Sequence, residues 1–215
     1  MPTPLKIDFV SDVSCPWCII GLQALEQAAE RLKDEVALDL HFQPFELNPQ
    51  MAPEGQDIGE HLHEKYGATP EQSQKNREAI AARGAALGFT FSMDKRSRIY
   101  NTFDAHRLLH WAEGQGRQRA LKHALFKAYF TDGQNPGDPA VLARVAGEVG
   151  LDAEEARAVL ASDRYAQEVR EREQFYLRSG IHSVPAIIVN ERHLIQGGQP
   201  VEVFEQALRK IATEM

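Results

Sequence analysis

Two cysteines occur in the 215 residues, and they stand three positions apart in Cys15-Pro16-Trp17-Cys18. Thiols at this spacing can do two kinds of chemistry. They can cycle between dithiol and disulfide, or they can supply half the ligands of a metal site. The metal reading needs two more ligands, and no histidine pair sits at finger spacing. His106 and His110 are i,i+4, and His61 and His63 are close neighbours. Neither pair belongs to an HExxH motif, so both are read as solvated or packed side chains, and no metal is expected.

The redox reading depends on what surrounds the thiols. Leu5, Ile7 and Phe9 alternate as a strand requires, and Leu22, Leu25, Ala29 and Leu32 recur at helical spacing. The pair therefore opens a helix that follows a strand. Unpaired backbone N–H groups and the positive end of the helix dipole stabilise a thiolate there. Cys15, nearer the loop, is expected to be the exposed attacker, with Cys18 one turn further in to resolve a mixed disulfide. Pro16 suits the first turn, where its missing N–H would be unpaired anyway. Trp17 either shapes the surface around the thiols or packs its indole beside them. Asp12 either perturbs the thiol through its charge or, like Ser14, caps the helix.

Ser183-Val184-Pro185 is a second candidate. One reading is a cis Val184–Pro185 bond beside the thiols, leaving the Val184 backbone free to pair with an extended substrate. The other is an edge strand that starts at a turn.

The remaining elements have to position these residues. Val36, Leu38, Leu40 and Phe42 alternate again, so residues 5–42 read strand, helix, strand with two parallel strands. Residues 43–58 form a long loop rich in proline and glycine. No strand is expected between about 57 and 179. Helix starts are marked instead by Thr69-Pro70-Glu71-Gln72, by Asp138-Pro139 and by Asp152 with Glu155. Trp111, Phe126, Tyr129 and Phe130 are expected to form the core of this helical block. A last helix runs from about Asp163 to Arg178. Strand, turn and strand follow over 184–195, with Asn190-Glu191 as the turn, and Pro200 opens a final helix. The order βαβ, helices, ββα predicts an α/β domain of residues 1–56 and 180–215, interrupted by a helical insertion over 57–179. The helix at 163–179 is expected to pack on the α/β part.

The net charge is −7, and the densest basic stretch is only Lys95, Arg96 and Arg98. Both argue against a nucleic-acid groove. No run of 18 apolar residues is present, so no membrane span is expected. The N-terminal residues lack the basic start and apolar core of a secretory signal, which points to the cytoplasm, where a lone CxxC is redox-active or metal-binding rather than structural.

Taken together, the motifs resemble the thioredoxin-fold DsbA family, and more narrowly its FrnE-type cytoplasmic branch. The resemblance is carried by Ser11-Asp12-Val13-Ser14-Cys15-Pro16-Trp17-Cys18 with Ile20-Gly21, by Pro44-Phe45-Glu46-Leu47-Asn48-Pro49, and by Asn101-Thr102-Phe103-Asp104-Ala105-His106-Arg107-Leu108. Gly180-Ile181-His182-Ser183-Val184-Pro185 and Gly197-Gly198-Gln199-Pro200 extend it to the end of the chain. Ile19 departs from the branch, which usually carries Tyr there. The resemblance implies a thioredoxin-like fold with a large all-helical insertion and a thiol–disulfide oxidoreductase or isomerase. Cys15 would be the nucleophile, Cys18 the resolving thiol, and Pro185 the cis proline. The substrate surface would include Pro16, Trp17, Val184 and Pro185, and the partners would be protein or small-molecule thiols and disulfides. No cofactor is expected beyond the Cys15–Cys18 disulfide itself, with glutathione as a candidate reductant. Asn48, Asn101 and His106 fall in motifs that could line a cleft between the two parts.

Two alternatives remain open from sequence. Kappa-class glutathione transferases and 2-hydroxychromene-2-carboxylate isomerases resemble this architecture, but typically carry serine where Cys15 stands and lack the second cysteine. A chaperone-like module holding unfolded protein, suggested by the long loop at 43–58, is the other.

Overall fold

The computed structural model describes residues 1–214. Alternating apolar residues build strand β1 (Thr3–Ser11), whose Leu5, Ile7 and Phe9 are fully buried. Helix α1 (Pro16–Arg31) follows, and β2 (Val36–Pro44) returns parallel to β1 with Phe9 opposite Phe42. Helix α2 (Ile58–Tyr66) comes after β3 (Gln56–Asp57), and α3 (Pro70–Ala86) precedes β4 (Arg98–Ile99). Then come α4 (Phe103–Gly114), α5 (Gln118–Phe130), α6 (Pro139–Glu148), α7 (Ala153–Leu160) and α8 (Ala166–Arg178). Strands β5 (Ala186–Val189) and β6 (His193–Gln196) and helix α9 (Val201–Thr213) close the chain.

The main sheet has the order β2-β1-β5-β6, with β5 antiparallel to β1 and β6 antiparallel to β5. This is the expected α/β class with a βαβ half and a ββα half sharing one sheet. The β5–β6 connection is tight because Asn190 and Glu191 both take positive φ, 52° and 57°. One expectation needs correcting. The stretch between 57 and 179 is not strand-free: β3 and β4 pair antiparallel through Gln56–Ile99 and Asp57–Arg98. Two residues per strand leave no alternation to read in sequence.

Both faces of the sheet are covered. Leu5, Ile7 and Phe9 share one cluster with Leu22 and Leu25 of α1 and with Phe204 and Leu208 of α9. Val10, on the opposite side of β1, packs with Phe45, Ala186 and Tyr176 of α8. The helical block has its own core of Leu108, Trp111, Leu121, Leu142 and Val159. Phe126, Tyr129 and Phe130 do not belong to it, contrary to the expectation above. They are buried in the sheet's cluster, where Phe130 meets the Phe91 ring at 5.2 Å. Helix α5 is thus shared, with one face in each core. Its Gln118 amide also satisfies the outer edge of β2: Phe42 N donates to Oε1 at 2.9 Å, and Nε2 donates to Phe42 O at 3.1 Å.

Helix starts follow the local chemistry. Thr69 and Gln72 form a full capping box, and Asp138 and Asp152 accept first-turn N–H groups. Because Phe126 joins the two bodies, Phe126→Ala should cost about 3–5 kcal/mol in urea denaturation. Trp17 and Trp111 lie in the two different bodies. Unfolding followed by fluorescence in Trp17→Phe and Trp111→Phe should therefore give one common midpoint.

Candidate active site

The dithiol sits where the sheet, the helical block and the β5 turn converge. Cys15 is the N-cap of α1, with extended backbone and no side chain capping the helix, and Pro16 takes the first helical position. Neither Asp12 nor Ser14 caps α1, because the Asp12 carboxylate is engaged elsewhere. Cys15 N donates to Asp12 O at 3.2 Å, and Cys18 N donates to Cys15 O at 3.1 Å, which folds the motif into consecutive turns.

Cys15 is only 4% exposed and Cys18 is fully buried. The expectation of an exposed Cys15 is therefore corrected, although it remains the outer of the two. The Cys15 Sγ–H donates to Val184 O at 3.7 Å, and the Val184–Pro185 peptide is cis. Burial and the neighbouring Cys15 thiol push the Cys18 thiol well above its ordinary value, while Lys122 and a backbone hydrogen bond from Asp12 pull the other way. Both thiols are free rather than joined as a disulfide.

Trp17, 37% exposed, forms the outer surface of the motif. Close backbone packing holds this corner together. A Cβ on Gly21 would lie 3.1 Å from Pro185 Cγ, and one on Gly198 would lie 3.0 Å from Trp17 O. The glycines let α1, the Pro185 segment and the β6–α9 turn approach one another.

Beneath the motif lies Asp12, 1% exposed. Its Oδ2 accepts from Leu47 N at 2.8 Å and its Oδ1 from Ser14 N at 3.2 Å. His106 Nε2 stands 3.5 Å from Oδ1. Burial pushes the Asp12 carboxyl up, but the His106 imidazole, the Leu47 N–H and Thr102 outweigh it and hold the group below the usual carboxylate range. His106, 3% exposed, is thus buried against the Asp12 carboxylate. Asn101 is structural too: its Oδ1 accepts from Phe103 N at 2.9 Å and its Nδ2 donates to Glu46 Oε2 at 3.3 Å. Arg170 of α8 bridges Glu46 and Glu173 and covers the Phe103 ring at 3.7 Å. Burial pushes the Glu173 carboxyl up to about 7. Asn48 Oδ1 accepts from Lys65 Nζ at 2.7 Å, tying the long loop to α2.

Two residues whose charges act on the thiols escape sequence reading. Tyr66 ends α2 and is 62% exposed. Partial desolvation and the charge of Cys15 both raise its pKa. Lys122 is fully buried, with its Nζ over the Phe126 ring at 5.1 Å. Its one sequence signal is a basic residue i−3 and i−4 from Leu125 and Phe126 on a buried stripe. Among the described residues, no cluster of three or more His, Cys, Asp and Glu side chains is placed to hold a metal.

Because the folded Asp12 carboxyl is held low, its stabilisation is present above the unfolded value of about 3.9 and is lost as pH falls through the lowered one. Urea midpoints of wild type should therefore drop as pH falls below about 4. Asp12→Asn should start lower at neutral pH and vary less across the same acid range.

Comparison with known proteins agrees with this geometry. Residues 6–209 match the DSBA-like thioredoxin domain. The chain is 27% identical to YwbO of Bacillus subtilis (strain 168) over 205 residues, covering 95% of this chain and 96% of that protein. The crystal structure of a probable DsbA oxidoreductase, SCO1869 from Streptomyces coelicolor, superposes with a TM-score of 0.92 at 36% identity. That match covers 98% of this chain and 91% of the other. The cytosolic disulfide reductase DsbM of Pseudomonas aeruginosa, solved with GSH, shares the fold at a TM-score of 0.67 and 18% identity, over 97% of this chain and 99% of DsbM. With the fold, the dithiol at the head of α1 and the match over nearly the whole chain in agreement, the protein belongs to the DsbA-like thioredoxin-domain family.

Proposed function

We propose that the protein is a thiol–disulfide oxidoreductase or isomerase in which Cys15 and Cys18 cycle between dithiol and disulfide. The observation that carries this reading is the placement of the outer thiol at the N-cap of α1 with the second thiol one turn inside. In the reducing direction, the Cys15 thiolate attacks one sulfur of a substrate disulfide. That S–S bond breaks, and the first substrate sulfur leaves with the electron pair. Cys18 then attacks Cys15 Sγ, the mixed disulfide breaks, and the second substrate thiolate leaves. The substrate gains two electrons and the protein gains the Cys15–Cys18 disulfide. Oxidation runs the same steps in reverse.

The Cys15–Val184 contact supports a substrate seat at this corner: an extended segment crossing the thiols would meet the Val184 backbone, Pro185, Pro16 and Trp17. Substrates are thiols and disulfides of proteins or small molecules, with no bound cofactor. Glutathione serves as reductant in the cytoplasm, a reading supported by the family and by the cytosolic DsbM fold solved with GSH. The presence of both cysteines disfavours a glutathione-dependent isomerase or transferase, which would not need Cys18.

Reduction of a peptide disulfide by the reduced protein should vanish in Cys15→Ser. Cys18→Ser should retain the first attack and accumulate a mixed disulfide, detectable by intact mass. Full activity in Cys15→Ser would sink the reading. Turnover of an electrophile with glutathione that survives loss of Cys18 would favour the transferase instead.

A further inference from the structure

The stretch that carries Val184 has little backbone support of its own. It leaves α8 through Gly180 and Ile181, whose N–H groups donate to Leu177 O at 3.1 Å and to Tyr176 O at 3.0 Å. It enters the sheet at Ala186, where β5 begins. Among the described residues, neither Ser183 nor Val184 makes a backbone–backbone hydrogen bond. Ser183 is exposed and Val184 is half-buried. A segment held this lightly has several conformations open to it, and a substrate that docks on it has to order them.

A side chain from the neighbouring strand supplies the support. Gln196, the last residue of β6, turns its amide onto the segment. Its Nε2 donates to Ser183 O at 2.9 Å, to Ser183 Oγ at 3.0 Å and to Pro185 O at 3.3 Å. The two carbonyls can only accept, so the nitrogen of the amide and not its oxygen must face them. They lie on either side of Val184, whose own carbonyl accepts from Cys15 Sγ at 3.7 Å. Gln196 is itself firmly placed. It pairs with Ala186 in the β5–β6 ladder, and its carbonyl accepts from Gln199 Nε2 at 2.7 Å. The next N–H, that of Gly197, donates to Pro185 O at 2.8 Å. The clamp therefore stands on the sheet, a rigid element, and holds a segment that is not part of it. Gln196 and Ser183 are both exposed, so these bonds add little to global stability, and their effect falls on the conformation of Val184.

We propose that Gln196 is a positioning residue for substrate. By holding Ser183 and Pro185 it presents the Val184 backbone to an extended peptide at Cys15, and so sets a preference for peptide over small disulfides. The inference deepens the oxidoreductase reading above and rests on it. The amide bonds to the segment and acts on the reaction through it. A small disulfide needs only the Cys15 sulfur. A peptide disulfide also needs the seat beside that sulfur in one conformation.

The test compares second-order rate constants for attack by the reduced protein on a peptide disulfide and on an aromatic disulfide whose thiolate is coloured. Gln196→Met keeps the length of the side chain and removes its donors. It should lower the peptide-to-aromatic ratio about tenfold, the scale set by losing a pair of hydrogen bonds. Gln196→Glu, which can only accept where the carbonyls need a donor, should lower the ratio at least as far. Gln196→Lys, whose ammonium carries donors, should restore most of it. An unaltered ratio in Gln196→Met overturns the role of Gln196 alone, and so does a ratio that falls equally in all the variants. Attack that survives Cys15→Ser overturns the oxidoreductase reading, and this proposal with it. Should the variants not fold, NMR of the Gln196 side-chain amide in the unsubstituted protein decides. Its N–H signals should be displaced from those of a free glutamine amide, and free-amide shifts overturn the proposal.

Discussion

A carboxylate with no access to water has to be satisfied from within, and at Asp12 that requirement organises the molecule. Its two oxygens take N–H groups from Leu47 and Ser14 and face the His106 ring. Those partners come from the loop after β2, the turn before α1 and the helical block. Losing any one would leave a buried charge short of a donor, at a cost of a few kcal/mol. Two segments far away in sequence, the loop after β2 and the helical block, are thereby fixed against the turn that carries Cys15. The thiols inherit their position from this arrangement rather than from a helix cap of their own.

The second constraint is the edge of β2. An unpaired strand edge invites pairing with another chain. Here Gln118 closes it at Phe42, while Phe126, two turns along the same face of α5, enters the sheet's core. Lys122 lies midway between them. The helical block is therefore joined to the sheet by hydrogen bonds and apolar burial along one helix face, and the buried Lys122 amine lies over the Phe42 and Phe126 rings on that same face.

What sequence reveals divides along physical lines. Caps at Thr69, Asp138 and Asp152 are read from a few adjacent residues, since the interaction itself is local. The strand alternation of β1 and β2 and the positive-φ turn at Asn190-Glu191 are equally local. The family motifs located the dithiol and the Val184–Pro185 segment. Periodicity shows that α5 has a buried stripe, but not which core the stripe enters, so it cannot separate Phe126, Tyr129 and Phe130, which join the sheet's cluster, from Trp111 in the helical block. The same limit applies to Asp12, whose partners lie 35 and 94 positions away at Leu47 and His106. Cys15 reads as exposed from its place in the motif, yet Val184, 169 positions on, covers it. The β3–β4 pair is too short to leave a pattern.

Val13 belongs to the core of the helical block although it lies between β1 and α1. It is the residue two positions before Cys15. A rotation of the block against the sheet cannot leave Val13 behind, because doing so would open a cavity around it. The block and the reactive sulfur are geared together: a guest that tilts one must move the other, and the seat a substrate finds at the thiols is set by how the helices stand.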